Sequence, residues 1–256
     1  MLIYHSNDVH GRLEALAGLL RKWRVDEGAG LWFDSGDALC GSNTAFHWHE
    51  PILDFMSAHG CAAMAMGNRE FHYWRRVLRR RSKQRSFPLL CANLSDLRCP
   101  ANDDLAERSA RKDALPEELA LWQPYCELPA PEAGARSLGV LGATVVQYPV
   151  GSPWENIWRW RFFDPFEVLP PLAQRLYERG LAVIVLSHLG LDKDELLAAL
   201  LPPGTLILGG HTHTVLSEPK RVGNCYIVQG GAYAQHLGRL NYDLERRELD
   251  DYRLLD

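Results

Sequence analysis

A chain of 256 residues, 46% hydrophobic and 23% charged, can bury a sizeable core and has neither a fibrous nor a disordered composition. Its formal net charge of −4 argues against a general nucleic-acid coat, and no apolar run reaches the roughly 18 residues of a membrane span. Residues 1–8 lack the charged start and apolar segment of a signal peptide, and the six cysteines form no C-x-x-C pair, so buried thiols in a reducing cytoplasm are expected.

Strands and helices alternate along the chain. Residues 2–4 read as a first strand running into Ser6-Asn-Asp-Val-His-Gly11, and Leu13, Leu16, Leu20 and Trp23 have helical spacing. Residues 31–33 form a second strand that ends at Asp34-Ser-Gly-Asp37. Ile52, Phe55 and Met56 mark a helix, and residues 62–66 a strand leading to Gly67-Asn-Arg-Glu70. Residues 75–85 carry seven Lys/Arg and read as a basic helix with a solvated face. A strand follows at residues 89–92.

The middle is less regular. Residues 95–123 are polar and read as a variable lid or insertion, and the Trp-rich stretch 149–165 as a surface excursion. A strand over residues 137–146 contains Gly139 and Gly142. A helix through Leu172 and Leu176 stops at Gly180. Residues 182–186 deliver Ser187-His188, a helix covers 191–200, and the strand 206–208 ends in Gly209-Gly-His-Thr-His213. Residues 226–228 and 237–244 close the chain as strands. Such alternation points to an α/β domain.

Five segments thus share one build: an apolar strand, then a tight turn bearing His, Asp or Asn. Ligands of α/β sheets sit outside the carboxyl ends of the strands, so these turns can converge. Together they offer Asp8, His10, Asp37, Asn68, His188, His211 and His213. That mixed nitrogen and oxygen set suits two divalent ions sharing one carboxylate, with Mn²⁺, Fe or Zn²⁺ favoured over Ca²⁺ or Mg²⁺.

Asp8-x-His10, Gly36-Asp37, Gly67-Asn68, His188 and Gly210-His211-x-His213 resemble, in chain order, the motifs of the calcineurin-like metallophosphoesterases. Ser6-Asn-Asp-Val-His-Gly11, Gly67-Asn-x-Glu-Phe71 and Gln229-Gly-Gly-Ala-Tyr233 are similar to the catalytic domain of the 5′-nucleotidase and 2′,3′-cyclic-nucleotide phosphodiesterase branch. The resemblance implies a four-layer α/β/β/α sandwich of two facing sheets, with metals at the strand ends. It implies that Asp8, His10, Asp37 and His213 hold one metal, and that Asp37 (shared), Asn68, His188 and His211 hold the other.

There are departures from the family pattern. Where the family has the phosphate-binding histidine of Gly-Asn-His, this chain has Arg69. A guanidinium holds its proton, so Arg69 can clamp phosphate but cannot be the acid. Where nucleotidases place an aspartate three residues on, this chain has His72. A helix opening after Asn68 would set His72 beside Arg69, with His72 as proton donor. The nucleotidases' C-terminal base-stacking domain is not expected, leaving a single catalytic domain over 1–256 with specificity in its own loops. The expectation is a phosphoesterase for small phosphomonoesters or phosphodiesters, nucleotides included, with Mn²⁺ favoured. The alternatives are a metal-binding interaction module of little turnover, or a nuclease served by the basic helix.

Overall fold

The computed structural model describes residues 1–26, 28, 30–45, 47–98, 121–129 and 136–256. The expected lid at 95–123 falls largely on residues 99–120, outside the described residues. One six-stranded sheet is built from β1 (Leu2–Ser6), β2 (Leu31–Asp34), β3 (Cys61–Ala65), β4 (Leu89–Leu90), β13 (Leu237–Asp243) and β14 (Glu248–Leu255). Its order is β14-β13-β1-β2-β3-β4, parallel from β1 to β4 and antiparallel at β13 and β14. The second contains β6 (Tyr125–Leu128), β7 (Leu138–Thr144), β9 (Ala182–His188), β10 (Leu206–Gly209), β11 (Lys220–Val222) and β12 (Cys225–Val228). Its order is β11-β12-β10-β9-β7-β6, with β7, β9, β10 and β12 parallel.

Strands of a sheet covered on both faces are apolar throughout, and β9 is buried along its whole length. Ile3, Phe33, Ala63, Ile184, Leu208 and Val228 meet in the core between the two sheets. Outside the first sheet, Leu16, Leu20 and Trp23 of α1 (Leu13–Asp26) join Leu53 and Met56 of α2 (Pro51–Ala58) and Leu78 of α3 (Arg75–Ser82). Outside the second, α5 (Pro165–Glu178) supplies Leu172 and Leu176, and α6 (Leu191–Ala198) supplies Leu197. The four layers are those expected. Gly180 closes α5 as read from sequence, with φ of 87° and a Schellman pair from Gly180 N–H to Tyr177 O (3.0 Å) and Leu181 N–H to Leu176 O (3.1 Å).

Two readings need correcting. The stretch 149–165 is not all surface: it forms α4 (Pro153–Trp158) and β8 (Trp160–Phe162), and Trp160 is 0% exposed. β8 pairs with β5 (Leu94–Asp96), which puts Trp160 and Phe162 against Phe71. The basic helix is also less solvated than its charge implies. Arg81 is buried and donates to the carbonyls of Arg69 (2.7 Å) and Glu70 (2.9 Å), while Arg75 pairs with Asp96 at 2.8 Å.

Gly142 in β7 is needed for space. A Cβ there would overlap the Leu90 carbonyl, where Ala92 N–H reaches Gly142 O at 2.8 Å. Gly142→Ala is expected to cost about 1–3 kcal/mol through overpacking, read by chemical denaturation. An unchanged unfolding midpoint would contradict this close approach.

Candidate metal centre

Parallel order brings the carboxyl ends of β1, β2, β3, β9 and β10 to one side, and every expected ligand lies at or just after one of them. Asp8 and His10 follow β1, Asp37 follows β2, Asn68 follows β3, His188 ends β9, and His211 and His213 follow β10. Five of these seven have left-handed backbone: Asp8 (φ 50°), His10 (51°), Asp37 (56°), His211 (76°) and His213 (56°). Non-glycine residues there cost on the order of 1–3 kcal/mol each, so the surroundings must hold them. Asp8 N–H donates to Gly36 O and His10 N–H to Asp37 O, both at 2.9 Å, locking the first turn to the second. Gly67 lets the third turn abut the second, since a Cβ on it would overlap the Asp37 backbone and carboxylate.

The functional atoms form two overlapping groups, Asp8–His10–His213 and Asp8–Asp37–His188, each with its ligating atoms within 4.8 Å of one another. His213 Nε2 lies 3.3 Å from Asp8 Oδ1 and 3.0 Å from His10 Nε2. His188 Nδ1 donates to Ser35 O at 2.8 Å, which turns Nε2 toward Asp37 Oδ1 at 3.4 Å. Asp8 Oδ1, Asn68 Oδ1 and His188 Nε2 are buried without a hydrogen-bond partner. Buried charge and lone pairs of that kind fit divalent cations.

Asp8 belongs to both groups, whereas the family resemblance implied Asp37 as the shared ligand. His211 stands beside the groups, its ring 5.1 Å from that of His188 and its N–H donating to Asp8 Oδ2 at 2.8 Å. Burial, then the charge of Arg69, pushes His10 down to about 4. Burial and the charge of His188 do the same to His211, so both are neutral imidazoles, the ligating form. Burial alone would raise Asp37, but the His188 imidazole 3.4 Å away and the Arg69 N–H outweigh it and hold the carboxyl at about 2.

Arg69 reaches the centre. Its N–H donates to Asp37 Oδ1 at 2.8 Å, its Nη1 donates to Cys40 O (3.1 Å) and Gly41 O (3.3 Å), and its Nε lies 3.8 Å from Asp37 Oδ2. No helix opens after Asn68: residues 68–70 form a turn, and α3 begins only at Arg75. The helical spacing that would set His72 beside Arg69 therefore does not hold. His72 is 1% exposed, and its Nδ1 accepts the Trp74 N–H at 3.0 Å. Burial, then the charge of Arg81, pushes it down to about 4, which disfavours the imidazolium that a general acid would use.

The sequence reading missed Glu70 and Asn7. Glu70, 3% exposed, accepts the N–H groups of Asp37 (2.7 Å) and Gly67 (2.9 Å) on one oxygen and of Leu39 (3.1 Å) on the other. Asn7 Nδ2 donates to Asp8 Oδ2 (2.8 Å) and Gly231 O (2.7 Å), tying the first turn to residues 229–233. The acidic residue after Gly67-Asn68 was visible, but two of its three partners, Asp37 and Leu39, lie more than thirty positions away in sequence. Glu70→Gln would set an NH₂ against an amide donor. Its expected cost is about 1–3 kcal/mol of stability, with metal affinity falling about 10–100-fold by titration calorimetry. Unchanged affinity would remove Glu70 from the support of the site.

A family model of the calcineurin-like phosphoesterases matches residues 1–215. The 5′-nucleotidase of Diplobatis ommata is 26% identical over 290 residues, covering 97% of this chain and 47% of its own length. A trifunctional nucleotide phosphoesterase of Bacillus subtilis is 25% identical over 272 residues, covering 96% of this chain and 18% of itself. The solved 5′-nucleotidase precursor of Thermus thermophilus superposes with a TM-score of 0.72 at 24% identity, over 99% of this chain and 53% of that one. The chain thus spans about half the length of the 5′-nucleotidase it matches. Calcineurin-like phosphoesterases use a dinuclear divalent metal centre, for which the two ligand groups sharing Asp8 are suited. With the strand order, the turns and the family match in agreement, the chain belongs to the calcineurin-like phosphoesterases.

Proposed function

We propose that this chain hydrolyses small phosphomonoesters or phosphodiesters, nucleotides among them, as one metal-dependent catalytic domain. The observation that carries the reading is the set of buried, unpartnered atoms Asp8 Oδ1, Asn68 Oδ1 and His188 Nε2 among further histidines and carboxylates. Two divalent ions held there would supply an acidified water and neutralise charge on the phosphoryl oxygens. Asp8, His10 and His213 would hold one, and Asp8, Asp37, Asn68 and His188 the other, with His211 alongside. Mn²⁺ is favoured, then Fe or Zn²⁺, because the donors mix imidazole with carboxylate and amide oxygen.

Arg69 supplies what the chain itself adds to chemistry. Its guanidinium is anchored through Nη1 and keeps further donors for phosphoryl oxygens on an exposed side of the site. His72 is a packing residue in this reading, and the proton for the leaving group comes from solvent. A reducing cytoplasm is the compartment this reading assigns. The pinned arginines of α3 leave little reason to prefer a nuclease.

Turnover of p-nitrophenyl phosphate and its bis-ester with added Mn²⁺ tests the reading. Arg69→Ala is expected to lower kcat/KM about 10²–10³-fold for aryl and alkyl esters alike. His72→Ala should lower the unfolding temperature and leave the alkyl-to-aryl ratio of kcat/KM unchanged. A ratio that falls would restore His72 as the acid. No turnover of either ester by the metal-loaded parent would favour a binding module instead.

A further inference from the structure

Beside the ligand groups stands a tyrosine to which nothing so far assigns a role. Tyr233 is 45% exposed, and its ring centroid lies 5.1 Å from that of His10 and 5.6 Å from that of His213. The Arg12 guanidinium lies over the ring, 5.8 Å from its centroid. Its backbone is left-handed at φ 59°, and Ala234 follows at 53°. An aromatic residue is rarely held that way, and two in succession must be over-determined by their surroundings.

The surroundings do so. Asn7 Oδ1 accepts the Gly230 N–H at 3.0 Å, Asn7 Nδ2 donates to Gly231 O at 2.7 Å, and Tyr233 N–H donates to Asp8 O at 2.7 Å. The loop is therefore fastened to the turn that carries the shared ligand Asp8. Its strain is spent on presenting a ring at the mouth of the site rather than on filling the core.

We propose that Tyr233, backed by Arg12, is the residue by which this site selects the organic group of its substrate, favouring planar aromatic groups such as aryl and nucleoside esters. The inference rests on the phosphoesterase reading and adds the substrate class. An ester substituent of a phosphoryl group bound at the ligands and emerging past His10 and His213 would meet this ring. Stacking reads a π-face and not a hydrogen-bond pattern, so the platform selects planarity without choosing among nucleobases. The cation over the ring favours electron-rich rings and anionic substituents further.

The test is binding of phenylphosphonate against methylphosphonate to the Mn²⁺-loaded protein by titration calorimetry, since a C–P bond is not hydrolysed as an ester. The parent is expected to prefer the phenyl compound about tenfold, equivalent to about 1.4 kcal/mol. Tyr233→Asn tolerates the left-handed backbone while deleting the ring, and should abolish that preference with methylphosphonate affinity and metal content unchanged. Tyr233→Phe should keep it. A preference retained in Tyr233→Asn, or equal loss for both ligands, would overturn the proposal. Turnover of p-nitrophenyl phosphate by the parent separates the two ideas. A phenyl preference without turnover sinks the enzyme reading alone, and turnover without the preference sinks the platform alone.

Discussion

A buried carboxylate with one oxygen satisfied and the other unpartnered is the constraint on which this molecule turns. Asp8 is 0% exposed, and its Oδ2 takes donors from Asn7 and from the His211 amide, which belongs to the opposite sheet. That bond joins the carboxyl ends of the two sheets. Its Oδ1 is left facing His10 and His213. Burial pushes the Asp8 carboxyl up, and the charge of His188 with the Asn7 and His211 donors pulls against it. A charge held in so dry a place needs a cation, which is why the strand ends read as a metal centre and not as a polar patch.

The rest of the site follows from packing turns closely enough to surround that charge. Each turn has to reverse within two or three residues, so ligating residues take left-handed backbone and the intervening glycines give way to neighbours. Gly36, Gly67 and Gly210 each have backbone of another turn where a Cβ would stand. Glu70 completes the arrangement by gathering three amides that would otherwise point into the crowded junction. Below it, Arg81 holds the Arg69 and Glu70 carbonyls and so fixes the direction in which Arg69 leaves the backbone. Stability is given up in backbone strain and recovered in amide hydrogen bonds.

Much of this was legible in the sequence because parallel strands, buried on both faces, read as short apolar runs whose carboxyl ends carry the chemistry. Residues 182–186 before His188 and 206–208 before His211 show the pattern plainly. What was not legible depends on distant partners. Trp160 and Phe162 looked like surface because glycine and proline break the stretch 149–165, and only pairing with β5 buries them. β14 is largely half-exposed or exposed and polar, so no apolar run announced it. The helix expected after Asn68 was misread: a spacing of three implies a shared face only in a helix, and Phe71 instead drives into the core as the chain leaves the turn.

In the proposed reading the seven residues form one preassembled cradle for two ions that would share Asp8, and metal stoichiometry reads that most directly. Elemental analysis of Mn²⁺-reconstituted protein after desalting is predicted to give two equivalents per chain, and Asp8→Ala to lose both together. One equivalent in the parent, or two retained in Asp8→Ala, would contradict the account.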